Sequence, residues 1–321
     1  VGKDDVTTFC EAVWRRDAAT LAALGRRVDP NALDRWRRTP LLMAAEFGDV
    51  ALVALLVKRG GAVDQGRQHL TPVTLAARRG DLEMVRFLRD QGATMSVVSW
   101  IHLHDRQQVE RALARDPALA RLRDELGTPV LHHAAEALAP ELVVLLLERG
   151  ASVADQDENG ETALHRVADA RPCQPEAAAR MASLLIDRGA DPNARNWDEV
   201  TPLHQGVRRR NLAVVEVLLA RGADVDARDR GRGSTPLRRA VSGTGASGTA
   251  GTSALMLPLA RLLLEHGADP EAKDKRGVPV LASTRDPDLR ALLARYRKRR
   301  RPPAARSRKQ RPRGRSPRSR A

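Results

Sequence analysis

The sequence predicts an all-α protein built as a linear array of repeated helix pairs. Three observations carry that expectation. A Thr-Pro-Leu kind of turn signal returns at Thr39, Thr71, Thr201 and Thr235, the first two 32 residues apart. Each opening leads into two short apolar stretches, the second ending at a glycine, and self-similarity at such a period marks a repeat architecture. The chain is 42% hydrophobic but only 2% aromatic, so its core must be close-packed Leu, Ala and Val, as helices in a stack allow. An array also accommodates 321 residues without one large core, because each unit meets only its neighbours.

The elements follow in order. Residues 7–16 and 18–26 read as a first helix pair, closed by Val28-Asp29-Pro30-Asn31-Ala32. Thr39 opens a second pair that stops at Lys58-Arg59-Gly60, and Thr71 a third that stops at Gln91-Gly92. From Ser96 to Leu122 the pattern degrades: two short helices, near 100–103 and 109–113, lack an introducing turn. The turn returns at Gly127-Thr128-Pro129, with Pro129 in the usual Thr position, then at Thr162, 33 residues later. The interval to Thr201 grows to 39 because Arg171 to Pro175 lengthens the link between helices. Residues 200–229 are the best-formed unit, with Asn211 at the helix break and a stop at Arg221-Gly222. Thr235 opens the eighth unit, with a longer insertion at 242–253, and Gly277-Val278-Pro279 the ninth. The units run near 7–38, 39–70, 71–95, 96–127, 128–160, 161–199, 200–233, 234–276 and 277–296. Residues 297–321 are an Arg-rich tail expected to be disordered.

Local chemistry explains the spacing. Proline in a first turn wastes no donor, and the threonine before it can cap the helix. Gly60, Gly92, Gly150, Gly189, Gly222 and Gly267 sit where a helix ends and a left-handed residue is favoured. Ala44-Ala45, Ala76-Ala77 and Ala134-Ala135 let neighbouring helices approach. One unit cannot bury enough apolar surface to offset its own ordering, so stacking is obligatory.

Spacing near 33, Thr-Pro-Leu-His openings such as Thr201-Pro202-Leu203-His204, and the Gly-Ala-Asp endings at Gly189, Gly222 and Gly267 together resemble the ankyrin-repeat family over about residues 7–296. The resemblance implies an ankyrin-repeat solenoid of antiparallel helix pairs stacked side by side, with β-hairpin-like fingers at one edge. It also implies that partners bind at finger tips and at the first helices lining the concave side.

Catalytic readings find little support. Cys10 and Cys173 are far apart and lack CxxC spacing, which argues against a disulfide framework or zinc site and fits a reducing, intracellular setting. His132, His165 and His204 recur at repeat positions, as residues that bond turn backbone do. His102-x-His104-Asp105 is metal-capable, but no further ligand is identifiable. Gly243-Thr244-Gly245-Ala246-Ser247-Gly248 matches GxGxxG, yet it follows a helix and lies in a Gly/Ser/Thr insertion, the context of a flexible loop. The expectation is a non-enzyme without cofactor or metal. No apolar run reaches 18 residues, so no membrane span is expected. The amino end lacks both a signal peptide's apolar segment and an initiator Met, consistent with a processed or truncated chain.

Function is then expected in surfaces. Carried over from the family pattern, the finger tips include Arg35, Trp36, Arg37 and Arg38, then Gln68 and His69, then Trp197, Asp198 and Glu199. Trp36 and Trp197 are either aromatic anchors for a partner or packing against the adjacent finger. Arg78-Arg79, Arg208-Arg209-Arg210 and Arg238-Arg239 follow the small residues of their first helices, and together would form a basic stripe selecting an acidic partner. Against this, Glu46 and Glu136 interrupt the stripe, and arginine outnumbers lysine 49 to 6, so a solvated face is the competing reading. The glycine expected two residues before the Thr is replaced by Arg37, His69 and Glu199, so altered turns are expected there.

Net charge is +15, and thirteen basic residues with no acid lie from Arg297 onward, leaving the body near neutral. The tail carries Arg297, Lys298, Arg299, Arg300, Arg301, Arg306, Arg308, Lys309, Arg311 and Arg313. Such a run attracts nucleic acid or an anionic surface, or merely solubilises. Lacking aromatics, it would bind nucleic acid with little sequence preference. The leading expectation is a monomeric, cytoplasmic scaffold that binds a protein partner through finger tips and concave face. The alternative is a nucleic-acid-associated adaptor attached through the tail, which in a eukaryotic cell would also act as a nuclear address.

Overall fold

The computed structural model describes residues 3–24, 27–34, 38–66, 70–124, 126–170, 174–242 and 253–300. Helix pairs follow one another along the chain. α1 (Lys3–Arg15) and α2 (Ala18–Leu24) form the first, α3 (Pro40–Phe47) and α4 (Val50–Lys58) the second, and α5 (Pro72–Arg79) and α6 (Leu82–Asp90) the third. α7 (Val97–His102) and α8 (Arg106–Arg115) make the fourth, followed by a 3-10 turn at Pro117–Arg121. The sequence anticipates the two short helices but not this turn. α9 (Val130–Glu136) with α10 (Pro140–Glu148), α11 (Ala163–Ala168) with α12 (Pro175–Asp187), and α13 (Pro202–Arg209) with α14 (Leu212–Ala220) complete units five to seven. α15 (Pro236–Val241) and α16 (Ser253–Glu265) form the eighth. The ninth has only a 3-10 turn, Val280–Ser283, before α17 (Pro287–Arg300).

The first helix of each unit packs on the first helix of the next, from α3 through α5, α7, α9, α11 and α13 to α15, making an inner row. The second helices form an outer row in which α12 meets α14 and α14 meets α16. The close inner spacing follows from small residues: Ala44, Ala45, Ala134 and Ala135 are fully buried. In the seventh unit Gly206 stands at the Ala44 register and lets α13 approach its own outer helix, where a Cβ would press to 3.1 Å from a Val215 methyl of α14.

Helix starts are built as the residues require. Thr39, Thr71, Thr201 and Thr235 accept backbone N–H groups of their first turns, each followed by proline. Asp49, Asp81, Asp105 and Asn211 cap the outer helices in the same way. Asn31 and Asn193 tie successive units, each donating to the glycine carbonyl at the next outer-helix stop and accepting an N–H two residues beyond it.

Two expectations change. Glu199 does not alter its turn: its φ of +57° is left-handed like those of Gly127, Gly160, Gly233 and Gly277, so the finger geometry is kept at the strain a side chain adds there. Arg37 and His69, expected to alter theirs, lie outside the described residues. The last helix also continues to Arg300, so the first four basic residues assigned to the tail are helical. Arg297 pairs with Glu271 at 2.5 Å, which ties that turn to the preceding loop.

The apolar core is two clusters, one drawn from residues between Phe9 and Leu88, the other from residues between Val97 and Leu293. At their boundary α5 meets α7 through hydroxyls: Thr74 Oγ1 lies 2.8 Å from Ser99 Oγ, flanked by Thr71 at 3.0 Å and Ser96 at 3.1 Å. Arg78 of α5 reaches past the short α7 to Glu136 of α9, at 2.6 Å.

Candidate functional site

Among the described residues, the inner row and the fingers hold most of the buried polar side chains, and their roles separate by register. Three residues after the capping position, His165 and His204 are fully buried. Each Nε2 lies 3.0 Å from a carbonyl of the following finger, Val200 for His165 and Ser234 for His204. A carbonyl only accepts, so Nε2 carries the proton. Nδ1 then accepts from the capping threonine's N–H, at 3.1 Å for Thr162 and 3.2 Å for Thr201. His132 makes the same outward bond, to Asp155 at 2.9 Å, but its Nδ1 has no partner. The reason is Pro129, which has neither N–H nor hydroxyl to offer.

Burial pushes the His132 and His204 pKa values down to about 4, and that of His165 down as well. These imidazoles are neutral struts between units, as their periodicity implied. In the eighth unit Arg238 occupies the same register, donating to Val278 O at 2.9 Å and to Asp274 Oδ2 at 2.7 Å. It is 8% exposed. Arg238 therefore leaves the list of stripe residues: it is a strut, longer than histidine and charge-paired because it is buried.

One residue further on, a basic side chain turns back to its own finger. His133 meets Asp124 at 3.0 Å, Arg166 meets Asp157 at 2.5 Å and Arg239 meets Asp229 at 2.8 Å. These aspartates also organise the finger turns: Asp124 accepts the N–H groups of Leu126 and Thr128, and Asp157 those of Asn159 and Glu161. Asn196 and Asp274 do the same in their fingers. Sequence reasoning missed this set. Its signal was present: Asp124, Asp157, Asn196 and Asp274 each stand five residues before the capping position.

The arginine stripe thus resolves into local pairs over much of its length. Arg38 meets Asp34 at 3.0 Å and Glu46 at 3.3 Å. Arg79 donates to the Glu46 carbonyl at 2.9 Å. Arg208 and Arg209 share one carboxylate, Asp169, the latter at 2.7 Å. Burial raises the Asp169 pKa, but hydrogen bonds from both guanidiniums outweigh it and hold it below the usual range. Two cations on one anion leave a surplus, and Arg210 beside them adds another.

Trp197 settles between its two expected roles by serving one and remaining open to the other. Its indole N–H donates to Glu158 O at 2.8 Å, and its ring covers Gly160, where a Cβ would come within 2.8 Å. Its backbone N–H also bonds Asn159 O of the preceding finger. It packs on its neighbour, yet 57% of its surface remains exposed. Trp36 and Arg37 lie outside the described residues, as do residues 171–173, with Cys173, and the glycine-rich stretch 243–248.

Among the described residues, no group of three metal-capable side chains converges. His104 stands exposed in a left-handed turn, with φ +56°, while His102 lies edge-on to His133 at 5.5 Å. Burial pushes the His102 pKa down to about 2. Burial likewise pushes the Cys10 thiol up to about 11, so it is a packed side chain rather than a nucleophile. No described helix is long and apolar enough to cross a membrane. Of the tail, Arg297 and Lys298 have described side chains on α17, Arg299 and Arg300 are described as helix only, and Arg301 to Ala321, including Arg306, Arg308, Lys309, Arg311 and Arg313, lie outside.

The family model described as ankyrin repeats (3 copies) matches residues 9–99, 102–196, 131–229 and 177–274. B-cell lymphoma 3 protein of Homo sapiens is 34% identical over 166 residues, covering 45% of this chain and 36% of that protein. NF-kappa-B inhibitor epsilon of Homo sapiens is 32% identical over 123 residues, covering 36% of this chain and 24% of that protein. The chain thus spans about a third or less of the length of these relatives. The crystal structure of the ankyrin repeat domain of Bcl-3 covers 80% of this chain and 98% of its own, with 25% identity and a TM-score of 0.47.

Proposed function

The chain belongs to the ankyrin-repeat family, and from that premise we propose that it is a non-enzymatic scaffold that captures a protein partner across its finger tips and inner helices. The observation that carries this reading is Trp197. Its indole is fixed by a hydrogen bond and by the adjacent finger, yet more than half exposed. Such a side chain loses little freedom on binding and brings a large apolar face, the combination found at energetically dominant contacts. Arg208 and Arg209, on the first helix of the following unit, add held and half-exposed cations. NF-kappa-B inhibitor epsilon, named for its action on another protein, supports a protein-binding role for arrays of this kind.

The test is affinity capture from extracts of the source organism, with the full chain and a Trp197→Ala variant side by side, each checked by a denaturation curve. The variant is expected to lose at least one partner that the parent recovers. Equal recovery of every partner by a folded variant removes the finger-tip assignment. The reading as a nucleic-acid-associated adaptor rests on the basic run from Arg297 onward. Its check is a mobility shift with and without residues 301–321: binding that survives truncation, or none even at low salt, removes it.

A further inference from the structure

The ninth unit's first element is a 3-10 turn of four residues, where the seventh unit has the eight-residue α13. The shortfall leaves a pocket of about 640 Å³ on the inner side, between α13, α15, the turn and the last two fingers. That volume falls within the range of ligand-binding pockets. Val207, Met256 and Leu259 form an apolar floor.

Its walls are dominated by one charge. Arg208, Arg210, Arg232, Arg239 and Arg276 line it beside the strut Arg238, and the acid among the described lining residues is Asp274. Asp274 is already taken by Arg238, Asp229 by Arg239, and Asp169 by both Arg208 and Arg209. Seven arginines therefore meet three aspartates. Among the described residues Arg210 and Arg232 form no ion pair, and Arg276 only adds its charge to the field on Asp274, which Arg238 already holds. Elsewhere Arg38 and Arg78 are matched by Glu46 and Glu136, and Arg79 rests on the Glu46 carbonyl, so the surplus is greatest at this pocket.

We propose that this pocket receives an extended, acidic segment of a partner protein, its carboxylates meeting Arg210, Arg232 and Arg276 and an apolar side chain resting on the floor. The inference rests on the scaffold reading and names the chemistry of the partner. Cations clustered over an apolar floor select such a segment by complementarity, since a neutral one leaves the guanidiniums unmatched.

Arg210 supplies a variant that separates binding from folding. It ends α13 in a left-handed conformation, φ +59°, where α3 and α5 end at Gly48 and Gly80. Arg210→Gly therefore removes a pocket cation while relieving backbone strain. The probe is a fluorescent nine-residue peptide of glutamates and aspartates around a central leucine, titrated with the full chain by anisotropy at 150 mM salt. Its controls are the Gln/Asn counterpart and a single-stranded DNA of similar length.

The parent is expected to bind the acidic peptide and not the neutral one. Arg210→Gly and Arg276→Ala are each expected to weaken binding about fivefold, with melting temperatures not lowered in the former. Equal binding by parent and variants places the peptide on the basic tail and overturns the proposal. So does absence of binding, equal affinity for the neutral peptide, or DNA binding that falls as steeply with Arg210→Gly. If the peptide result is negative while capture still depends on Trp197, the pocket assignment falls and the scaffold reading stands.

Discussion

Acid should loosen this array well above the pH at which carboxylates protonate. His132 and His204 are 1% and 0% exposed, and both titrate near pH 4 in the folded chain. Unfolded, each returns to about 6.5. Between those values the unfolded chain holds more protons than the folded one, so stability falls as pH falls, beginning near 6.5 and levelling near 4. For a single histidine the loss between pH 7.5 and pH 5 is about 2 kcal/mol, so the pair contributes about 4 kcal/mol. His165 adds in the same direction. Glu161, whose pKa is raised chiefly by burial, offsets a part. Carboxylates held low, such as Asp157, Asp169 and Asp229, lose their contribution only below about pH 4, as their lowered values require. Set against a typical total of about 5–15 kcal/mol, the effect is large. Urea denaturation at pH 7.5, 6.5, 5.5 and 5.0, followed by far-UV circular dichroism, measures it. A midpoint that stays constant from pH 7.5 to 5.0 would refute the neutral-strut assignment.

Further expectations follow from single contacts. Pro129→Thr restores both the missing helix cap and a partner for His132 Nδ1, and should raise stability by about 1 kcal/mol in chemical denaturation. His104→Gly relieves a left-handed backbone at an exposed side chain and should gain about 0.5–1 kcal/mol; a loss would mean that the imidazole has a role of its own. Gly160→Ala sets a methyl against the Trp197 ring at a φ of +76°, and should cost about 2 kcal/mol and shift the tryptophan emission to the red.

Much of the fold was legible because the repeat states it many times. Thr201, Pro202 and His204 each report a local rule, namely a cap, a fixed first turn and a buried strut, and recurrence in register removes ambiguity. The site was less legible, because surface charge has no period of its own. Arg238 and Arg239 look in sequence like exposed arginines following an apolar stretch. Only the stacked fingers show that Asp274 and Asp229 claim them. Arg232 and Arg276 went unnoticed because they sit in finger turns, and become part of one wall only after the ninth unit loses a helical turn. Trp197 could not be assigned from spacing alone, since a ring that packs and a ring that binds leave the same letter.

The hydroxyl contact between α5 and α7 has a consequence for how the array yields under load. Parting the later repeats breaks histidine struts, whereas parting Thr74 from Ser99 presents water with hydroxyls it can solvate at once, beside the apolar contacts that Met95 and Leu103 make with the amino-terminal core. The Arg78–Glu136 clasp, with both side chains more than a third exposed, is an attachment that salt weakens. The joint before Ser96 is therefore the seam between the two apolar clusters that salt is expected to loosen.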